Sequence, residues 1–274
     1  MTRSILITGC SSGIGLAAAQ TLADRGWQVL ATARKQQDVD RLTALGLTAA
    51  QLDVCDDESI KTAINTLLAQ TDGRLDALFN NAGFAIPGKI EDLTRDNMQQ
   101  QFDTNVFGAM RVVQAVLPIM KQQQSGRIVQ NSSILGFVSL PYYGAYNASK
   151  HALESFTDTL RLELRGSGIH TTLIEPGPIT SEFRHNAEKS FQTNLNPDPN
   201  NKALYQRLQQ ANSQPSRLTL PPEKVIDCLI HAIESPTPKL RYPVGLPGKG
   251  LRLAKRLLPE RALDKLLHTI MKDI

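Results

Sequence analysis

The chain has 274 residues, 41% of them apolar, enough to bury a full core as one large α/β domain or two small ones, and nothing argues for two. Its formal net charge of +4 is mild, and the basic residues are mixed with acids over most of the length, so no nucleic-acid footprint is indicated. No apolar stretch reaches the ~18 residues of a membrane span, no secretion signal precedes Ser4-Ile5-Leu6-Ile7, and the scattered Cys10, Cys55 and Cys228 suit free thiols in a reducing, cytoplasmic setting.

Ser4 to Ile7 reads as a first strand, followed by the turn Thr8-Gly9-Cys10-Ser11-Ser12-Gly13-Ile14-Gly15 and a helix with apolar positions at Ile14, Leu16, Ala18 and Leu22. Glycines let backbone approach a pyrophosphate, and the following helix N-terminus offers it free N–H groups. Ser11 and Ser12 add hydroxyl donors.

A second strand over 26–35 ends in Ala33-Arg34-Lys35, where a bound dinucleotide would present its adenosine ribose. An acid there suits a free 2′-hydroxyl, whereas these cations fit a 2′-phosphate and therefore NADP(H) rather than NAD. A charged turn after a strand is the plain alternative.

A helix from about Gln37 to Leu45 leads to a third strand at Thr48 to Leu52. Asp53 after it suits either an adenine amino group or the cap of the helix that starts near Asp56 to Ser59. A fourth strand, Leu75 to Phe79, closes on Asn80-Asn81-Ala82-Gly83, which reads as turn chemistry or as the ligand edge of an open α/β sheet. One long helical stretch is expected from Arg95 to Gln123, with Asn105 inside it despite asparagine's poor fit to helix interiors.

The fifth strand, Gly126 to Gln130, delivers Ser132 and Ser133, and an apolar loop follows. Tyr146-Asn147-Ala148-Ser149-Lys150 then puts a phenol and an ammonium four positions apart on one helical face. A neighbouring cation favours the phenolate and makes the tyrosine a usable proton shuttle. The plain alternative is a packing tyrosine beside a surface lysine.

His170 to Glu175 is the sixth strand, cut by Pro176-Gly177-Pro178. Residues 180–222 are polar and loop-like and read as a lid over the site. A helix over 222–234 and a strand over 239–244 follow. The basic, leucine-rich tail 249–274 is expected to form a helical cap on the core or on a partner subunit, with a bilayer-surface contact as the alternative. His151, His170, His185, His231 and His268 are scattered, so no metal site is expected.

Taken together, Thr8-Gly9-x-x-x-Gly13-x-Gly15, Asn80-Asn81-Ala82-Gly83, Asn105, Ser133, Tyr146-x-x-x-Lys150 and Pro176-Gly177 resemble the compact, single-domain branch of the short-chain dehydrogenase/reductase family, in that family's order. The resemblance implies a Rossmann-like, doubly wound, seven-stranded parallel sheet. It implies that Tyr146 is the general acid or base, that Ser133 holds the substrate oxygen, that Lys150 lowers the tyrosine pKa and holds the nicotinamide ribose, and that Asn105 binds a water relaying protons to the lysine.

By the same resemblance the glycine turn, including Ile14, meets the pyrophosphate, Asp53 and Asn81 meet adenine and its ribose, Gly83 and Pro176 lie against the coenzyme, and Ile179 and Thr180 hold the nicotinamide amide. Ala31 to Arg34, Ile174 to Pro178, Arg241 to Gly245 and the basic tail are similar to the retinol dehydrogenase and 17β-hydroxysteroid dehydrogenase side, including bacterial NADP-dependent aldehyde reductases. That similarity implies an apolar carbonyl or alcohol substrate, with Phe84, Leu135, Tyr143 and Phe183 near it, and a homodimer or homotetramer. A coenzyme-sensing binding protein that kept the fold and lost the chemistry is the alternative from another class. A sugar-nucleotide epimerase would need a larger C-terminal domain.

Overall fold

The computed structural model describes residues 2–183, 185–187, 190, 198–212 and 219–271. Strands β1 (Ser4–Ile7), β2 (Gln28–Ala33), β3 (Thr48–Gln51), β4 (Ala77–Asn80), β5 (Gly126–Asn131), β6 (Ile169–Glu175) and β7 (Arg241–Pro243) form a single sheet in the order β3-β2-β1-β4-β5-β6-β7. All six pairings are parallel. The order reverses at β1, which neighbours both β2 and β4 and so opens the crevice at the strands' C-terminal ends where ligands of such sheets lie.

Because side chains alternate along a strand, each strand feeds two cores. Ile5 and Ile7 join Val29, Phe79 and Val129 under α1 (Gly13–Asp24) and α8 (Glu223–Glu234), while Leu6, Leu30, Leu78 and Ile128 join the opposite layer with α3 (Asp57–Leu68) and α5 (Ala109–Gln123). Each fully buried side chain of this kind contributes about 1.5–3 kcal/mol. The near-continuous apolar strands follow from burial on both faces.

The long helix expected over 95–123 is divided. α4 (Arg95–Phe102) starts on a capping box in which Thr94 and Asn97 bond each other's backbone N–H, and a π-helical stretch at Asp103–Gly108 separates it from α5. The cause is Asn105, whose buried amide bonds the backbone of Phe84 and loosens the helix into a wider turn. α2 (Gln36–Ala44) and α6 (Gly144–Glu163) fall where the sequence puts them.

Much of the lid expected over 180–222 lies outside the described residues. Its described part includes α7 (Lys202–Asn212), which is tied to the body through Asp92. Asp92 accepts from Asp198 N at 3.2 Å and from Asn201 Nδ2 at 2.9 Å, and it pairs with the Tyr205 hydroxyl, which in turn accepts from Lys89 N at 2.9 Å. The tail forms two helices, α9 (Gly245–Leu257) and α10 (Glu260–Met271), split at Leu258-Pro259. Their inner faces set Leu251, Ala254, Leu263 and Leu267 against the body, as a cap does.

Candidate active site

The C-terminal ends of the parallel strands β1, β2, β3, β4, β5 and β6 run into the segments that carry Gly9 to Gly15, Arg34, Asp53, Asn81 to Gly83, Ser133 and Pro176 to Thr180. The glycine turn leaves β1 with Gly9 at φ +72°, a conformation that suits glycine. Gly15 is fixed by space: a Cβ there would stand 2.2 Å from the Gly9 carbonyl oxygen and 2.6 Å from Asn81 Nδ2. Ser12 precedes α1 without capping it through its side chain, and the first turn holds no acid. Uncapped N–H groups over a glycine cradle fit the pyrophosphate of a dinucleotide. Ser181, in the segment after β6, lies against Gly13: a Cβ on Gly13 would stand 2.9 Å from the Ser181 Cβ.

Arg34 stands exposed at the end of β2 and forms no ion pair among the described residues. A cation that the sequence did not single out lies close by: Arg41 of α2 pairs with Asp38 at 3.1 Å and donates to the Ser11 carbonyl of the turn. Asp53 does not cap α3. Its Oδ1 accepts from Cys55 N at 2.9 Å, while Asp56 accepts from Glu58 N and Ser59 N and does the capping. Asn81 is a staple whose Nδ2 donates to Thr8 O at 3.0 Å and Gly9 O at 3.1 Å, and whose Oδ1 accepts from Asn131 Nδ2 at 2.8 Å.

Tyr146 and Lys150 project from α6 into the same buried space, with Nζ 5.7 Å from the phenol ring centre. Lys150 donates to the Asn131 carbonyl at 2.7 Å. Burial pushes its ammonium down to about 8, against the pull of Glu154 one turn further on. Burial also pushes the Tyr146 phenol well above its ordinary value, and a hydrogen bond with Ser133 only partly opposes this. The expected lowering of the phenol pKa is therefore absent from the polypeptide's own groups: desolvation of both side chains outweighs their attraction. Ser133 caps the short helix Ile134–Gly136 by accepting from Leu135 N at 3.1 Å.

Asn105 sits behind this pair. Its Nδ2 donates to Phe84 O at 2.9 Å and to Ser149 Oγ at 3.1 Å, and its Oδ1 accepts from Phe84 N at 3.1 Å. Gly83 passes between them, since a Cβ on it would lie 3.2 Å from Asn105 Oδ1 and 3.7 Å from Lys150 Nζ. Ile179 is buried, and its bridge to Leu220, with Thr180 N donating to Leu220 O at 2.9 Å, fixes the chain leaving Pro176.

Leu135, Tyr143 and Phe183 gather with Phe137 and Leu267 around Tyr146 in one apolar cluster, the Phe183 ring centre 5.6 Å from that of Tyr146. Phe84 does not join them; it packs with Ile86, Leu93 and Ala145. A cavity of about 780 Å³ opens beside the cluster, lined by Leu140, Asn147, His151 and Leu267 and touching neither Ser133 nor Tyr146. Cys10, in the turn, is buried, and its thiol is pushed up to about 12 by burial, so it is a packing residue rather than a reactive one.

A profile of the short chain dehydrogenase family matches residues 3–191. The chain belongs to this family. It is 44% identical over 268 residues to the oxidoreductase YbbO of Escherichia coli strain K12, covering 98% of this chain and 95% of that one. It is 39% identical over 253 residues to human retinol dehydrogenase 8, covering 87% and 80% respectively. Among solved structures, a short chain dehydrogenase/reductase from Burkholderia phymatum in complex with NAD superposes with a TM-score of 0.78 at 26% identity, covering 93% of this chain and 92% of that one. The protein is thus an oxidoreductase of a family that uses a nicotinamide coenzyme.

This member also has a polar network behind the site that sequence reasoning missed. Ser132, Glu154, Asp158, Glu175, Arg241 and Arg252 link α6, β6, β7 and α9. Arg241 meets Asp158 at 2.7 Å and Glu154 at 3.3 Å, Arg252 meets the fully buried Glu175 at 2.6 Å, and Ser132 donates to Glu154 at 2.9 Å. Only Glu154, four residues after Lys150, carried a spacing that could have revealed it. Thr8, named in the turn, was given no role of its own. Its hydroxyl accepts from Asn81 N and Ala82 N, both at 2.9 Å, and joins the ends of β1 and β4.

Proposed function

We propose that the protein is an NADP(H)-dependent oxidoreductase acting on an apolar aldehyde, ketone or secondary alcohol of retinoid, steroid or medium-chain type. The observation that carries it is the hydrogen-bonded Ser133 and Tyr146 pair set in an apolar cluster. The nicotinamide, when bound, supplies or accepts the hydride. Tyr146 gives its phenol proton to the substrate oxygen in reduction and takes it back in oxidation, while Ser133 hydrogen-bonds that oxygen. Lys150 holds the nicotinamide ribose and, as a cation, favours the phenolate. Asn105 holds the Gly83–Phe84 backbone beside the lysine and carries the proton-relaying water. Leu135, Tyr143 and Phe183 wall the substrate.

Gly9, Ser11, Ser12, Gly13, Ile14 and Gly15 hold the pyrophosphate in this proposal, Asp53 and Asn81 the adenosine, and Gly83, Pro176, Ile179 and Thr180 the nicotinamide end. Arg34 takes the 2′-phosphate; its exposure without an ion pair among the described residues supports this, and Arg41 adds a second cation. Exposed Phe107 and Phe156, at 50% and 47%, support pairing of the long helices in a homodimer or homotetramer. The three free cysteines suit a cytoplasmic protein.

The test compares NADPH with NADH oxidation across medium-chain aldehydes, retinal and steroid ketones. Turnover with NADPH is expected, and Tyr146→Phe is expected to lower it ~10²–10⁴-fold while NADPH binding persists. Near-wild-type turnover in that variant refutes the role of Tyr146.

A further inference from the structure

α9 has two unlike faces. Its inner face sets Leu251 and Ala254 against the cluster around Tyr146, and Arg252 anchors it to Glu175. Its outer face bears Leu246, Leu253 and Leu257, which are 82%, 58% and 68% exposed. Spacings of seven and four residues align the three in one stripe. Large leucines standing in water in a continuous row are a costly arrangement for a free surface and mark a contact.

The charge beside the stripe narrows the partner. Lys249 and Arg256 fall along one edge of it by helical spacing, and Lys255, Arg261 and Lys265 are also exposed. None of these five cations is ion-paired among the described residues. Against its seven lysines and arginines the segment 249–274 sets only Glu260, Asp264 and Asp273, so its balance equals the whole chain's +4. An apolar stripe with a basic border on a helix lying along the surface fits the headgroup region of an anionic bilayer, where such a helix sinks roughly 5–10 Å. No described helix is long and apolar enough to cross one.

We propose that the outer face of α9 docks the protein on an anionic lipid surface, the three leucines entering the interface and Lys249 and Arg256 meeting the headgroups. Docking there holds the inner face of α9, and the apolar cluster beneath it, next to the phase in which apolar solutes dissolve.

The experiment is flotation of the full-length protein with vesicles of mixed phosphatidylglycerol and phosphatidylcholine, or of phosphatidylcholine alone, together with sizing in solution. The wild type is expected to partition onto the anionic vesicles at least ~10-fold better than onto the neutral ones, and to be released by salt near ~1 M. Leu253→Gln with Leu257→Gln, and separately Lys249→Glu with Arg256→Glu, are expected to weaken partitioning at least ~10-fold each without changing the melting temperature. Absence of partitioning onto anionic vesicles overturns the proposal, as does partitioning of both double variants at the wild-type level. An assembly that the leucine variant splits, in a protein that ignores vesicles, shows a contact between copies of the chain instead.

Discussion

Replacing Arg252 with Met tests whether the C-terminal cap is held by a buried charge pair. Methionine keeps most of the stem that packs there and removes the guanidinium, which meets Glu175 Oε1 at 2.6 Å and lies 4.7 Å above the Phe137 ring. Burial raises the Glu175 carboxyl to about 7, the neighbouring Glu154 pushes the same way, and Arg252 and Arg241 oppose them. Breaking a buried pair costs about 3–5 kcal/mol when the remaining charge has no escape. Here the cost is smaller: Arg241 stays 3.3 Å away, Arg252 is a third exposed, and Glu175 can take up a proton.

A deficit of about 2 kcal/mol at pH 8 is expected, or roughly 4–8 °C in Tm for a chain of this size. The pH dependence decides the cause. Glu175 has a raised folded-state pKa, so its contribution is fully present below the ordinary glutamate value and is lost as pH rises through about 7. Without Arg252 that folded value climbs further, so the deficit shrinks at pH 5.5, where Glu175 is protonated, and grows towards pH 8. Thermal melts of both proteins at the two pH values measure it, and Glu175→Gln completes a double-mutant cycle in which Arg252→Met costs little at either pH. A deficit independent of pH, or unchanged when Glu175→Gln is already in place, refutes the pair as the anchor.

Gly15→Ala is expected to abolish coenzyme binding by calorimetry, because its Cβ would fall 2.2 Å from the Gly9 carbonyl oxygen; binding within a few-fold of wild type would show that the turn can open. Lys150 carries a depressed folded-state pKa of about 8, so the protein gains stability from this group as pH rises from about 8 towards the ordinary lysine value. Lys150→Met is expected to flatten that rise in melts without coenzyme, and an unchanged slope would assign it to another group. Burial would raise the Asp92 carboxyl, but hydrogen bonds from Tyr205, Asp198 N and Asn201 and the charge of Lys89 hold it below the ordinary range, so the clasp on α7 persists above that range and weakens as pH falls through the folded value. Asp92→Asn is expected to speed tryptic cleavage at Arg207 at neutral pH; cleavage at the wild-type rate would mean that other contacts seat the helix.

What the sequence made legible follows from the physics of each signal. Strands buried on both faces read as short apolar runs, and glycine and proline end them, so the seven strands could be placed within a few residues, while their parallel pairing was implied only by the family resemblance. The division of the 95–123 helix could not. It depends on Asn105 finding the backbone of Phe84, a partner supplied by the end of another strand, and no periodicity within the helix reports that contact. The same holds for Asp53, which suited the cap of the following helix: only the fold decided that Asp56 takes those bonds instead.

At the site, residues joined by local spacing were legible and residues joined by the sheet were not. Tyr146 and Lys150 share a helix face, so their nearness was a matter of arithmetic. The sequence suggested an attraction that lowers the phenol pKa, yet desolvation, which depends on everything packed around the pair, is the larger influence on both groups. Glu175 makes the same point from the other side. It ends an apolar strand where it looks like a surface residue, but β7 brings Arg241 and α9 brings Arg252 from far along the chain, and they pair with its buried carboxylate. α6 joins the same ion cluster through Glu154, so the C-terminal cap and the helix that carries Tyr146 are joined by one set of partly buried charges.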